Sequence, residues 1–409
     1  MKKDFAQLRQ DFPMLSGNVG EYPLVYLDNA ATTQKPQVVI DALVRFYTSQ
    51  YASTGRGVYP LAEQATQLFE DARSACTRFI GAASSSEIVF TSGATDSITT
   101  VVHAWALQHI TDQDIIVISE LEHHANLLSW QFVAQITGAQ LKYIPVTPEG
   151  DLAYDILDDI ICTKTAFVAV THTSNALGVK VDCKRIVQRA RSVGAKVLID
   201  ASQAMIHQKV DVQELDCDFL VFSGHKMLAP TGIGVLYVKQ ELHDQLLPFR
   251  RGGGMVYWVS YQKAQWAAMP QLLQAGTMPI AQSIGLHAAI DYISHNIDWQ
   301  ALGDHENSLN RYLIDNLQQN EKITILGPID LLKEKGHQVS FLVQNIHSHD
   351  VAAFLGQLGI CVRAGHHCAQ PLAEKLGSPS SVRVSFAFYN TKKEVDCLIA
   401  ALNQLFEQV

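Results

Sequence analysis

The chain has no apolar run of transmembrane length, no close-spaced cysteine pairs and no low-complexity linker. The first absence excludes a helical membrane protein. The second excludes both a zinc site built on paired cysteines and a secreted disulfide framework, since the seven cysteines (76, 162, 183, 217, 361, 368 and 397) are odd in number and scattered. Basic residues are also in deficit, 31 Lys and Arg against 40 Asp and Glu, a formal net charge of -9. That balance disfavours a nucleic acid or an anionic membrane as partner. The opening Met1-Lys2-Lys3-Asp4-Phe5 carries charge without a following apolar segment, so it does not read as a signal peptide. Together these point to a cytoplasmic protein with reduced thiols.

The 409 residues are 47% hydrophobic and 17% charged, a composition for compact domains with a large core. Apolar or β-branched runs occur at Val25 to Leu27, Ile88 to Phe90, Ile115 to Ile118, Leu141 to Ile144, Ala166 to Val170, Val197 to Ile199, Phe219 to Phe222 and Gly234 to Val238. Between them lie helical stretches such as Ala62 to Ile80, Thr95 to Gln108 and Cys183 to Ser192. Continuous apolar strands alternating with helices predict an α/β fold with a mainly parallel sheet covered on both faces. In such sheets ligands bind beyond the carboxyl ends of the strands. The pattern changes near residue 297. A long helix (Trp299 to Gln319) leads to shorter strands at Ile323 to Leu326, Val339 to Val343 and Cys361 to Arg363, and then to a closing helical stripe from Val395 to Phe406. This reads as a smaller α+β C-terminal domain, with the helix that starts near Ala281 crossing the boundary. The expected division is 1–24 as a segment near the small domain, 25–296 as the large domain and 297–409 as the small one.

The strand ends carry the chemistry. Phe219 to Phe222 delivers Ser223-Gly224-His225-Lys226. A lysine at the end of a buried strand can have its pKa lowered and suits a Schiff base with a carbonyl cofactor such as pyridoxal 5'-phosphate (PLP). Alone, the motif fits a solvated lysine at a strand end better. Asp200 follows the strand through Ile199 and can pair with a protonated pyridine nitrogen, with Gln203 three residues on. Gly93, Ala94 and Thr95 open a helix whose free N–H groups form a phosphate cradle. His123 follows the strand through Ile118, where an imidazole can stack on a planar ring. Asn175 follows the strand through Val170 and can bond a phenolic oxygen. Ser223 and His225 add phosphate contacts. Their convergence with Lys226 on one sheet edge implies a PLP site. A second cluster, Arg363-Ala364-Gly365-His366-His367-Cys368-Ala369-Gln370-Pro371, precedes Arg383. Neighbouring imidazolium or arginine would favour a nucleophilic thiolate at Cys368. Adjacent His366, His367 and Cys368 fit tetrahedral metal geometry poorly, so no metal is assigned.

These residues, with Tyr26-Leu27-Asp28-Asn29-Ala30-Ala31-Thr32-Thr33, Glu122-His123-His124-Ala125-Asn126 and Tyr389-Asn390-Thr391-Lys392, resemble the PLP-dependent cysteine desulfurases of the group that includes the SUF-type enzymes and cysteine sulfinate desulfinases. The resemblance spans nearly the whole chain and implies PLP-dependent transferase fold type I, the aspartate aminotransferase-like architecture. It implies Lys226 as the Schiff-base lysine, Cys368 as the persulfide cysteine and His123 as a catalytic group stacked on the cofactor. Asp200 would meet the ring nitrogen, Asn175 and Gln203 the ring hydroxyl, and Ala94, Thr95, Ser223 and His225 the phosphate. Thr277 would reach the phosphate from a neighbouring subunit of a homodimer. Ala31, Asn175, Arg363 and Arg383 would bind substrate, with Arg383 on its carboxylate. L-Cysteine is the implied substrate, with cysteine sulfinate or selenocysteine as further candidates, and a SufE-type protein is the implied sulfur acceptor. The chain departs from the family pattern at Gly55, Tyr59, Ala94, Ser202 and Gln274, which bears on substrate preference and rate more than on reaction type. A selenocysteine lyase, a kynureninase-like hydrolase and an inactive acceptor-binding scaffold are the competing readings.

Overall fold

The computed structural model describes residues 4–378 and 380–408, so the Met1–Lys3 opening lies outside it. Seven strands form the large sheet: β1 Ile88–Thr91, β2 Ile115–Ser119, β3 Gln140–Ile144, β4 Thr165–Thr171, β5 Lys196–Asp200, β6 Phe219–Ser223 and β7 Gly234–Val238. Their spatial order is β1-β7-β6-β5-β4-β2-β3. All run parallel except β7, which is antiparallel to both neighbours.

The strand pattern explains the layering. Alternate residues serve opposite faces. Val117, Val168, Ile199, Leu220 and Phe222 belong to one buried cluster, and Ile116, Ile118, Phe167, Leu198 and Val221 to the other. Strands with no polar face must be covered twice. Helices Gln37–Arg45, Pro60–Phe79 and Ile280–Asn296 pack together on one side. Ala94–Val101 and His124–Thr137 lie on the other, where Trp130 is fully buried with its ring 4.3 Å from that of Phe167. The stretch expected as one helix from Thr95 to Gln108 passes through a π-helical turn at Val102–Ala106. β7 adopts its antiparallel place against the Gly93 turn, where a Cβ on Gly234 would stand 2.5 Å from the Gly93 Cα.

The second sheet has four antiparallel strands: β8 Ile323–Leu326, β9 Gln338–Val343, β10 Arg363–Gly365 and β11 Ser381–Ser385, in the order β8-β9-β11-β10. Helices Trp299–Leu317, Ser348–Gln357 and Lys392–Glu407 cover it. Two sequence expectations are corrected here. The helix from Ile280 stops at Asn296 and does not cross the boundary; the Asp298 carboxylate caps the next helix by accepting from the Gln300 and Ala301 N–H groups. The strand read as Cys361 to Arg363 is split. Ile360–Cys361 pairs in parallel with Val25–Tyr26, while Arg363 already belongs to β10. The Val25 run therefore sits beside the second sheet and not in the large one. The segment before it packs nearby: Phe12 lies against Phe388 and Tyr389, and Arg9 pairs with Glu394. No helix among the described residues is long and apolar enough to cross a membrane.

Candidate active site

The carboxyl ends of β4, β5 and β6 open on a cavity of about 200 Å³ that the second sheet closes from above. Lys226 reaches it from a tight turn, Gly224–Lys226, directly after β6. The turn requires glycine, because a Cβ on Gly224 would meet the Ile233 side chain at 2.7 Å. Burial pushes the Lys226 ammonium below the usual lysine range, opposed by the Asp200 carboxylate. A larger share of neutral amine makes a better nucleophile toward a carbonyl.

Ala31, Ala94, Thr95, His123, Asn175, Asp200, Gln203, Ser223, His225, Lys226, Arg363, Cys368 and Arg383 all line this cavity. Thr277 does not; it is exposed on the segment before helix Ile280–Asn296, so within one chain it supplies no contact there. Sequence reading did not single out Ala30, Ala125, Thr171 and Ser202 as lining residues. His367 was noted only as a neighbour of Cys368. All five sit within two residues of a named one or at a strand end, which is the signal that could have marked them.

Hydrogen bonds set each group's direction. The His123 Nδ1 accepts from the Ala125 N–H at 3.0 Å and caps helix His124–Thr137, so the proton of the neutral ring sits on Nε2. Burial, aided by the Lys226 charge, pushes His123 down to about 4, and it is neutral at physiological pH. Burial likewise takes His225 down to about 4. Asp200 accepts from the Ser202 N–H at 2.9 Å. Ala94 was expected to offer a free N–H, but that group donates to the Ser223 hydroxyl oxygen at 2.8 Å. The Ser223 proton is thereby left to donate to an anion. The first-turn N–H groups beyond Ala94 have no intrahelical partner and carry the positive end of the helix dipole.

The two amides expected at a ring hydroxyl are directed elsewhere. Gln203 donates to the Ala30 carbonyl at 2.8 Å, and the Asn175 amide donates to the His367 carbonyl. Asn175 thus joins the large sheet to the cysteine loop. His367 and Cys368 both take left-handed backbone conformations, φ 52° and 56°, unusual for side chains other than glycine. The loop is also held by the His124 N–H on the Cys368 carbonyl (2.7 Å) and the Gln370 N–H on His124 Nε2 (3.0 Å). An imidazolium or an arginine was expected beside Cys368, and the second is what the structure supplies. Burial and the two arginines push His367 down to about 3, so the positive charge there is that of Arg363 and Arg383. Cys368 and Arg363 also line a second, outer cavity of about 400 Å³ with His347, His349 and His366.

Arg383, on β11, donates to the Asn175 carbonyl at 2.7 Å and to Asp28 Oδ1 at 3.0 Å. Its Nε, the Ser202 hydroxyl and His367 Nδ1 are buried without a protein partner. Such orphaned groups are costly unless a ligand satisfies them. A lysine amine, a carboxylate opposite it, a hydroxyl and helix N-terminus for an anion, and spare donors for a second anion together fit PLP and an amino acid.

Fold and site define a PLP-dependent enzyme of fold type I, with a mixed α/β large domain and a smaller C-terminal domain. The family model "Aminotransferase class-V" matches residues 25–398, and the chain belongs to that family. Among known proteins it is 44% identical over 400 residues to the cysteine desulfurase of Salmonella agona (strain SL483), covering 98% of this chain and 97% of the relative. The solved cysteine desulfurase CsdA of Escherichia coli superimposes with a TM-score of 0.91 at 35% identity, covering 100% of this chain and 99% of that one. The apo cysteine desulfurase of Thermococcus onnurineus gives 0.93 at 36% identity, with both chains fully covered.

Proposed function

We infer that the protein is a PLP-dependent cysteine desulfurase that converts L-cysteine to L-alanine and keeps the sulfur as a persulfide. One observation carries the assignment of residues: Lys226 and Cys368 line the same cavity from different sheets. Bound PLP supplies an electron sink at the substrate α-carbon. Lys226 holds the cofactor, then takes the α-proton and returns it. Asp200 holds the proton on the ring nitrogen. Arg383 takes the substrate carboxylate, which directs the side chain toward Cys368. The Cys368 thiolate attacks the substrate sulfur; an S–S bond forms, the C–S bond breaks, and its electron pair stays with the carbon that becomes the alanine methyl after protonation. His123, neutral with its proton on Nε2, lines the same cavity and would offer a route for that proton.

Residues 25–296 serve as the PLP-binding domain and 297–409 as the domain that brings Cys368 and Arg383. The motifs around Cys368 favour the SUF-type and cysteine sulfinate desulfinase-like group; likeness to that family supports a SufE-type acceptor and a homodimer in which Thr277 completes the partner's phosphate site, and the composition a cytoplasmic setting. Cys368→Ala should keep the bound-cofactor absorbance and lose persulfide. Unchanged sulfide and alanine production from cysteine by that variant overturns the assignment. Side-by-side alanine release from cysteine, cysteine sulfinate and selenocysteine, with and without acceptor, ranks the substrates.

A further inference from the structure

The carbonyl oxygen of His225, the residue before Lys226, accepts from an unusual number of donors. The Thr33 N–H lies at 3.1 Å, Thr32 Oγ1 at 3.0 Å, Thr33 Oγ1 at 3.2 Å and Lys35 Nζ at 3.0 Å. A peptide carbonyl has two lone pairs, so this oxygen is held from more directions than it needs for satisfaction alone. Lys35 Nζ also donates to the Thr33 carbonyl. Thr33 Oγ1 in turn accepts the Leu228 N–H at 2.9 Å. Residues 32 to 35 therefore grip the chain on both sides of Lys226.

Lys35 is an odd choice for a packing role. Its ammonium is largely buried and, among the described residues, no carboxylate offsets the cost; burial pulls it down to about 8. The titratable group facing it is His225, kept neutral partly by Lys35 itself. Tyr389, whose hydroxyl accepts from the Gln34 N–H at 3.0 Å, stays a neutral phenol because burial pushes its pKa up. An ammonium held out of water by two neutral carbonyls, with no opposite charge, is expensive, and a neutral side chain could fill the space more cheaply.

We propose that Lys35 is a positioning residue for Lys226: its ammonium, fixed on the His225 carbonyl, polarises the 225–226 peptide and aims the Lys226 amine into the cavity. This rests on Lys226 being the cofactor-bearing residue. The test uses the full chain stripped of cofactor, with pyridoxal phosphate added and captured protein trapped by borohydride and mapped. Lys35→Met should capture about tenfold more slowly than wild type, the factor that loss of one charge-assisted hydrogen bond supports. It should also lose the break in capture rate near pH 8 that titration of Lys35 gives the wild type. Lys35→Arg should retain most of the rate and cofactor affinity. Wild-type capture by Lys35→Met overturns the proposal, and so does equal slowing in both variants with lowered melting temperature, which is packing alone. Trapped label on a residue other than 226, or full trapping by Lys226→Ala, overturns the Lys226 reading itself and is read from the map rather than the rate.

Discussion

The side-chain amide of Asn175 donates to the carbonyl oxygen of His367, the residue before Cys368. A group at the end of the large sheet thereby holds the loop that carries the thiol. Asn175→Ala should free that loop, so that backbone amides 366 to 369 exchange hydrogen faster. Alanine release from cysteine should fall about tenfold, the cost of one lost buried hydrogen bond, while cofactor content stays at wild-type level. Exchange rates and single-turnover kinetics check both.

Asp28 is the carboxylate partner of Arg383. Removing one member of a buried pair leaves an uncompensated charge, at a cost of about 3 kcal/mol. Asp28→Ala should therefore melt well below wild type. Added alanine, whose carboxylate can take the vacated place, should restore part of the loss, and neutral amines should not. Thermal shift with and without ligand measures the difference.

Gln274 is buried, and its Oε1 accepts from Arg73 and from the Phe90 N–H, each at 2.9 Å. Gln274→Ala orphans both donors and should cost about 2 kcal/mol in urea unfolding. Gln274→Glu keeps both acceptors and adds a charge opposite Arg73, so its stability should match or exceed wild type. The departure from the family pattern at Gln274 is then an exchange on the β1 support and not a change at the cavity.

Burial depresses several histidines in the folded state: His123, His172 and His225 to about 4, His367 to about 3, and His337 well below its ordinary value. Unfolded, each titrates near 6.5. Below that value the unfolded chain binds more protons, so stability falls as pH drops from about 6.5 toward 4. Glu122, raised by burial to about 7, acts in the opposite sense, adding stability at low pH that is lost as pH rises from its unfolded value toward 7. With several histidines against one glutamate, the acid loss should dominate the melting temperature of the cofactor-free protein. His337→Gln should flatten that slope, because His337 is fully buried, stacked 3.6 Å from His207, and has neither ring nitrogen paired.

Most strands of the large sheet were legible because they are apolar on both faces, the half-exposed edge strand β3 (Gln140–Ile144) being the exception, and the site was legible because polar groups follow those runs directly. What periodicity cannot carry is partner choice. Val25 to Leu27 looks like any other apolar run, yet it pairs with Ile360–Cys361. Gly234–Val238 gives no local sign of running against its neighbours. Asn175 was placed correctly at a strand end, but the direction of its amide depends on a carbonyl far along the chain. Asp28 and Lys35 were passed over for the same reason: a carboxylate or ammonium in a loop acquires meaning only from what folds onto it.

The parallel pairing of Val25–Tyr26 with Ile360–Cys361, and the bridge from Asp28 to Ser385 beyond it, join the two ends of the chain. During synthesis the early segment emerges long before its partner exists and must wait, unpaired, while the large sheet forms. Residues 297 onward expressed alone would leave Ile360–Cys361 without its partner strand. Cofactor capture and sulfur chemistry would also mature at different times: the lysine's sheet can close first, whereas Arg383 and the thiol arrive only when the last strand clasps the first.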